Sequence, residues 1–139
     1  MPQAAVSPKK DMVALAEQAW SIFIVDDDDS VRKGLSRLMR TAGFEVKAFA
    51  TADSFFEECG TAMRTCVLLD ITMPRMSGLQ IQARLKEKGI DLPVIAISAR
   101  DDDETRTTAR RLGARFFLRK PVDDRALLDA IAWVTGARI

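Results

Sequence analysis

Short apolar runs closed by polar residues alternate along this chain with longer segments of helical periodicity. Ser21-Ile22-Phe23-Ile24-Val25 is an apolar run of strand length, followed at once by Asp26-Asp27-Asp28-Asp29-Ser30. Val31, Leu35, Leu38, Met39 and Ala42 then recur on one helical face, with Asp29 or Ser30 as the expected N-cap and Gly43 just past the end. Residues 44–49 mix polar and apolar positions as an edge strand does, and Thr51 is placed to cap a short helix through Phe55 and Phe56. Val67-Leu68-Leu69 reads as a central strand buried on both faces, ending on Asp70. Pro74 bars further strand pairing and Ser77 offers the next N-cap, so Asp70 is expected in the strand-to-helix turn, within reach of solvent and ligand.

The third helix is predicted from about Gly78 to Lys88, with Leu79, Ile81 and Leu85 inward and Gly89 as its stop. Pro93-Val94-Ile95-Ala96-Ile97 is the fourth strand and closes on Ser98. A fourth helix over 102–112 has an acidic start and a basic end, yet only Ala109 and Leu112 are clear core candidates, so it should be lightly anchored. Arg115-Phe116-Phe117-Leu118 is the fifth strand, leading into Arg119-Lys120-Pro121, and a last helix from Asp123 to about Thr135 buries Leu127, Ile131 and Val134. Residues 1–10 read as a loose arm, and Ser7-Pro8 can start a short helix carrying Met12, Leu15, Ala16 and Ala19 on one side. The expected organisation is an extension over 1–20, one domain over 21–136 and a tail over 137–139.

Five strands alternating with five helices imply an α/β fold with a parallel sheet covered on both faces, because right-handed crossovers leave few other solutions. In such open sheets ligands bind at the carboxyl ends of the strands. Asp26 and Asp27 follow strand one, Asp70 follows strand three, Ser98 closes strand four and Lys120 follows strand five. All five belong on one rim.

Composition narrows the chemistry available there. A chain of 139 residues suits a single core, and its 47% hydrophobic and 29% charged residues are those of an ordinary globular protein. With 21 basic and 20 acidic residues, the net charge of +1 gives no reason to expect direct nucleic-acid or membrane binding. No signal-peptide core or membrane-length apolar run is visible, so a cytoplasmic location is expected. Cys59 and Cys66 match no metal spacing and read as reduced packing residues. The absence of histidine removes the commonest general base and the commonest neutral metal ligand. Any metal on the rim must be held by oxygen.

Three carboxylates without imidazole or thiolate make a hard site suited to Mg2+, which prefers one or two carboxylates together with phosphate oxygens. Lys120 adds a compact cation and Ser98 a hydroxyl donor, the groups that a phosphoryl on Asp70 requires around its free oxygens. Asp70 is then a candidate nucleophile for an aspartyl phosphate. Phosphoryl transfer asks the protein mainly to position reactants and neutralise charge, so no general base is needed.

Ile24-Val25-Asp26-Asp27-Asp28, Leu69-Asp70 with Met73-Pro74 and Ser77-Gly78, Ile97-Ser98-Ala99 and Lys120-Pro121 together resemble the motif set of bacterial two-component response regulator receiver domains, over about residues 21–135. The resemblance, closest in feel to the FixJ-type receivers that precede a helix-turn-helix domain, implies a flavodoxin-like doubly wound fold with strand order 2-1-3-4-5. It implies that Asp70 is the phosphoacceptor, that Asp26, Asp27 and Asp70 hold Mg2+ with the backbone carbonyl of Thr72, and that the Thr72 side chain is incidental to that metal-binding role. It also casts Lys120 as the phosphate-binding lysine, Ser98 as the switch hydroxyl and Phe117 as the switch aromatic. Serine stands where threonine is more usual and phenylalanine where tyrosine is, so a rotated aromatic here has no hydroxyl to offer.

The implied donor is a histidine kinase or histidine phosphotransfer protein, docking on the first helix near Val31 and on the loop Lys120-Pro121-Val122. The implied output surface is the fourth helix, fifth strand and fifth helix. Arg106, Arg110, Arg111, Arg115 and Arg119 lie there against Asp101, Asp102, Asp103, Glu104, Asp123 and Asp124, either as a solvated face or as a homodimer face formed on phosphorylation. The chain is expected to signal rather than turn over a substrate. A haloacid-dehalogenase-like Mg2+ phosphatase would want an aspartate two residues after the nucleophile, where Thr72 stands. A phosphorylation-independent binding module would have no use for all five rim residues. The expected chain is either a complete single-domain regulator or a receiver detached from a DNA-binding transcriptional regulator, no helix-turn-helix domain following Ile139.

Overall fold

The computed structural model describes residues 19–137, so the predicted arm and short helix before Ala19 lie outside the described residues. The elements run β1 (Ser21–Val25), α1 (Asp29–Thr41), β2 (Glu45–Phe49), α2 (Ala52–Cys59), β3 (Thr65–Asp70), α3 (Gly78–Glu87), β4 (Val94–Ser98), α4 (Asp103–Arg111), β5 (Ala114–Arg119) and α5 (Asp124–Thr135). The strands form one parallel sheet in the order β2-β1-β3-β4-β5. Strand order reverses between β1 and β3, and that is where the carboxyl ends open a crevice.

Burial follows strand position. Every residue of β3 and β4 is buried, as befits strands covered on both faces, whereas the edge strand β2 buries only Phe49. One core layer joins Phe23, Phe49 and Phe55, whose rings meet edge to face with centroids 5.1 to 6.3 Å apart, to Val67, Leu69, Ile81 and Leu85. The opposite layer packs Ile22, Ile24, Leu68, Ile95 and Ile97 against Leu35 and Met39 of α1 and Leu127 and Ile131 of α5. Trp20 packs against this second layer with the Arg64 guanidinium over its ring, so the core reaches one residue before the expected boundary. Cys59 and Cys66 are buried and free, and burial pushes the Cys66 thiol up to about 12, disfavouring its thiolate.

The helix starts are set by side chains that satisfy the otherwise unpaired first N–H groups. Asp28 caps α1 by accepting from Val31 N at 3.0 Å, one residue earlier than the expected Asp29 or Ser30. Asp29 instead pairs with Arg32 and Lys33 in the first turn. Ser77 and Gln80 form a reciprocal capping box on α3, and Asp102 and Asp123 cap α4 and α5. Helix α4 buries only Ala109, in keeping with its expected light anchorage. Among the described residues, no helix is long and apolar enough to cross a membrane.

Candidate functional site

Because β1, β3, β4 and β5 are parallel, their carboxyl ends bring residues from four distant segments to one rim. The Asp26, Asp27 and Asp70 carboxylates each offer an oxygen within 4.8 Å of the others. Lys120 Nζ donates to Asp26 Oδ2 at 3.0 Å and lies 3.4 Å from Asp70 Oδ2. Lys120 reaches there because its backbone N–H is tied to Ser98 O at 2.8 Å, holding the end of β5 against that of β4.

Asp70 is the last residue of β3 and is 3% exposed, rather than the open turn residue expected from its flanking signals. Pairing explains the difference: Ile71 N–H continues the ladder to Ile97 O, which draws the strand end under the loop that follows. Asp26 is similarly buried at 2%, and only Asp27 of the three is exposed. The site thus joins two buried carboxylates to one exposed one.

Electrostatics follow from that burial. Desolvation, aided by the Asp70 charge, holds the Asp26 carboxyl above its ordinary value of 3.8 against the opposing help of Asp28 N–H and Lys120. For Lys120, burial works against the charged form, yet its contacts with Asp26 and Asp70 outweigh it and raise the pKa above 10.5. Lys120 thus pairs with two of three clustered carboxylates, and the negative charge that its single cation leaves uncompensated favours a further cation. The clustered hard oxygens fit Mg2+ and offer nothing to a soft metal.

Thr72 does more than the resemblance implied. Its backbone N–H and its hydroxyl both donate to Asp70 Oδ1 at 3.1 Å, so the side chain, incidental to the expected carbonyl role, holds one oxygen of the candidate nucleophile. Ser98 is fully buried, and its Oγ accepts from Arg100 N at 3.0 Å, toward its own loop. Phe117 is half-buried under the Arg106 guanidinium, 5.7 Å from the ring centre, and Arg106 pairs with Asp101 in the same chain. Sequence reasoning missed Arg32, which donates to Asp26 O at 2.9 Å, and the steric need for Gly78. A Cβ at Gly78 would lie 2.5 Å from Asp70 O and 2.8 Å from Ile71 Cα, so glycine alone lets α3 start against the strand end that carries Asp70.

Residues 22–132 match the family model described as the response regulator receiver domain. The chain belongs to that family. Receivers of two-component systems use aspartyl phosphorylation and Mg2+ as general features of the family. This receiver is 41% identical over 115 residues to response regulator protein TmoT of Ectopseudomonas mendocina, an alignment covering 83% of this chain and 52% of TmoT. Its fold superposes on the response regulator StyR with a TM-score of 0.77 at 42% identity, covering 83% of this chain and 58% of that one. It superposes on the crystal structure of FixJ-N with a TM-score of 0.79 at 29% identity, covering 86% and 96% of the two chains. The chain spans about half the length of the curated relatives it matches.

Proposed function

We propose that this receiver accepts a phosphoryl group on Asp70 from a histidine kinase or histidine phosphotransfer protein, and so controls a partner surface. The observation that carries the reading is the convergence of Asp26, Asp27 and Asp70 oxygens within 4.8 Å, with Lys120 bridging the two buried members. An Asp70 oxygen attacks the phosphorus of the phosphohistidine. The new O–P bond forms as the P–N bond breaks, and the electron pair returns to the imidazole nitrogen. Asp26, Asp27 and Asp70, with the Thr72 backbone carbonyl, would hold Mg2+, which when bound supplies positive charge to the carboxylates and the phosphoryl oxygens. Thr72 fixes one oxygen of Asp70 while Lys120 lies beside the other. The product remains on the protein, as a signal rather than a released compound.

In this reading Lys120 and Ser98 bind the phosphoryl oxygens, and each charge-assisted bond contributes roughly 1.5–3 kcal/mol. Moving a two-state protein from about 1:99 to 99:1 takes roughly 5.5 kcal/mol of differential binding, so two such bonds approach the requirement. For that, the Ser98 hydroxyl leaves Arg100 N and turns to the phosphoryl, Phe117 moves into the space released, and α4, with its single buried residue, responds. A groove lined by Val31, Gly34, Leu35 and Leu38 of α1 and by Lys120, Pro121 and Val122 supports docking of the phosphodonor beside the site. The receiver is taken as about 21–136 with Trp20 packed against it, and the greater length of relatives named as transcriptional regulatory proteins supports a transcriptional output domain as the target of the switched α4-β5-α5 face. The charged residues of that face are the candidate phosphorylation-dependent homodimer contact.

Intact-mass measurement after incubation with acetyl phosphate tests the proposal. The expected result is a gain of one phosphoryl that requires Mg2+ and is abolished in Asp70→Asn. A gain that survives Asp70→Asn, or no gain together with no binding of beryllofluoride, refutes it. Sedimentation of the beryllofluoride-treated protein decides the dimer: a monomer at high concentration removes it.

A further inference from the structure

Helix α4 is attached to the fold by little apolar surface, and a buried amide from α3 supplies a bond that its own backbone does not. Only Ala109 of α4 is buried. In the last turn Leu112 N–H reaches Thr108 O at 3.0 Å, but Gly113 N–H takes Arg110 O at 3.0 Å instead of Ala109 O. Among the bonds of the described residues, the Ala109 carbonyl therefore receives no donor from its own helix, the common condition of a helix end. Gln82 of α3 fills the gap: its Nε2 donates to Ala109 O at 3.0 Å, and the residue is 2% exposed.

The same side chain works against core stability. Gln82 Oε1 is buried and has no hydrogen-bond partner among the described residues. A buried acceptor without a donor is unfavourable, and an apolar side chain of the same length between Ile81 and Leu85 would avoid it. The residue at 82 is thus better suited to fixing the place of α4 than to stabilising the domain.

We propose that Gln82 is a positioning residue whose amide latches the C-terminal turn of α4 to α3, and thereby sets the threshold that a group bound at Asp70 must overcome to move α4. The threshold rests on the phosphoacceptor reading above; the latch does not.

The test compares native protein with Gln82→Met, which keeps length and bulk without the donor, in the full chain. Hydrogen exchange is read by mass spectrometry alongside denaturant unfolding. The expected result is global stability unchanged or raised, with amides of residues 109–113 exchanging roughly three- to tenfold faster relative to those of β1 and β3. The concentration of beryllofluoride needed to alter α4 exchange in Mg2+ should fall by a similar factor. Equal α4 exchange in the two proteins, or a loss of stability spread evenly over the domain, overturns the latch. If the variant does not fold, the native protein still decides: the Gln82 side-chain amide protons should be protected from exchange in solution, and exchange at the rate of a free amide overturns the proposal. If native protein saturated with Mg2+ neither gains a phosphoryl from acetyl phosphate nor binds beryllofluoride, the phosphoacceptor reading and the threshold fall together, while the exchange comparison alone still judges the latch.

Discussion

Neutralising Asp27 should stabilise the metal-free protein. Its carboxylate offers an oxygen within 4.8 Å of oxygens on both Asp26 and Asp70, and Lys120 offsets those two directly. Two unit charges about 4.8 Å apart repel by roughly 3.5 kcal/mol at an effective dielectric of about 20, and by about 0.9 kcal/mol in bulk water. Asp27 is the exposed member, which places it toward the screened end, and attraction to Lys120 removes part of the repulsion. Asp27→Asn is therefore expected to add about 1–2 kcal/mol in EDTA at low ionic strength, a rise in Tm of roughly 3–6 °C for a domain of this size. Added salt should shrink the gain, because surface repulsion is screened over about 10 Å at 0.1 M. With Mg2+ the order should reverse. A ligand at about 100 times its Kd stabilises by roughly 2.7 kcal/mol, and the variant has lost a charged oxygen from the set that would hold it. Thermal unfolding of both proteins in EDTA and in Mg2+ measures all of this. A variant no more stable than native protein in EDTA would refute the claim that the cluster is under electrostatic strain, and an equal Mg2+ effect in the two proteins would refute the assignment of Asp27 to the metal.

The two glycine substitutions should act in opposite directions. Gly78→Ala, forced against Asp70 O and Ile71, is expected to cost about 1–3 kcal/mol and to impair phosphorylation, whereas Gly34→Ala, with nothing within 4 Å of its Cβ, should stabilise by about 0.5–1 kcal/mol. Denaturant unfolding distinguishes them. Ser98→Ala should still acquire a phosphoryl at Asp70 but leave α4 exchange unaltered by it, so a native-like change in α4 exchange would exclude Ser98 from the switch. Burial raises the Asp26 pKa above 3.8, so the folded state holds its proton more tightly than the unfolded chain. Stability from this group accordingly falls as pH rises from 3.8 through the raised value, and Mg2+ affinity, which needs the ionised form, should fall on acidification earlier than for an ordinary aspartate. Calorimetric Mg2+ titrations across about pH 4 to 8 check this. Lys120, whose folded pKa is also raised, acts with the same sign at the alkaline end: its ion pairs stabilise below 10.5 and are lost as pH rises through its raised folded pKa, which alkaline unfolding of native protein and Lys120→Met should show.

What could be read from the sequence was whatever local pattern encodes. Val67-Leu68-Leu69 announces a strand covered on both faces, and in a parallel sheet the polar residues that close such strands must share an edge, which groups Asp26, Asp27, Asp70, Ser98 and Lys120 from local pattern alone. The light anchorage of α4 was equally visible in a segment with almost no apolar positions. Strand order came from resemblance, since no local signal states which strand lies beside which. The depth of Asp70 depends on its ladder bond through Ile71 to Ile97, which no turn signal near Pro74 reveals. The Thr72 hydroxyl contact and Gln82 escaped for a related reason: each side chain looks like a polar group of a loop or a helix face until the fold places its partner, two residues away for one and 27 for the other. The shift of the α1 cap to Asp28 is a choice among four consecutive aspartates that composition does not resolve.

Reductive trapping of the acyl phosphate followed by peptide mapping tests the central claim most directly. Borohydride converts an aspartyl phosphate to homoserine, so protein treated with acetyl phosphate and Mg2+ should carry homoserine in place of Asp70 and nowhere else. Trapping at Asp26 or Asp27, or an unmodified Asp70 in protein shown to have gained a phosphoryl, would contradict it.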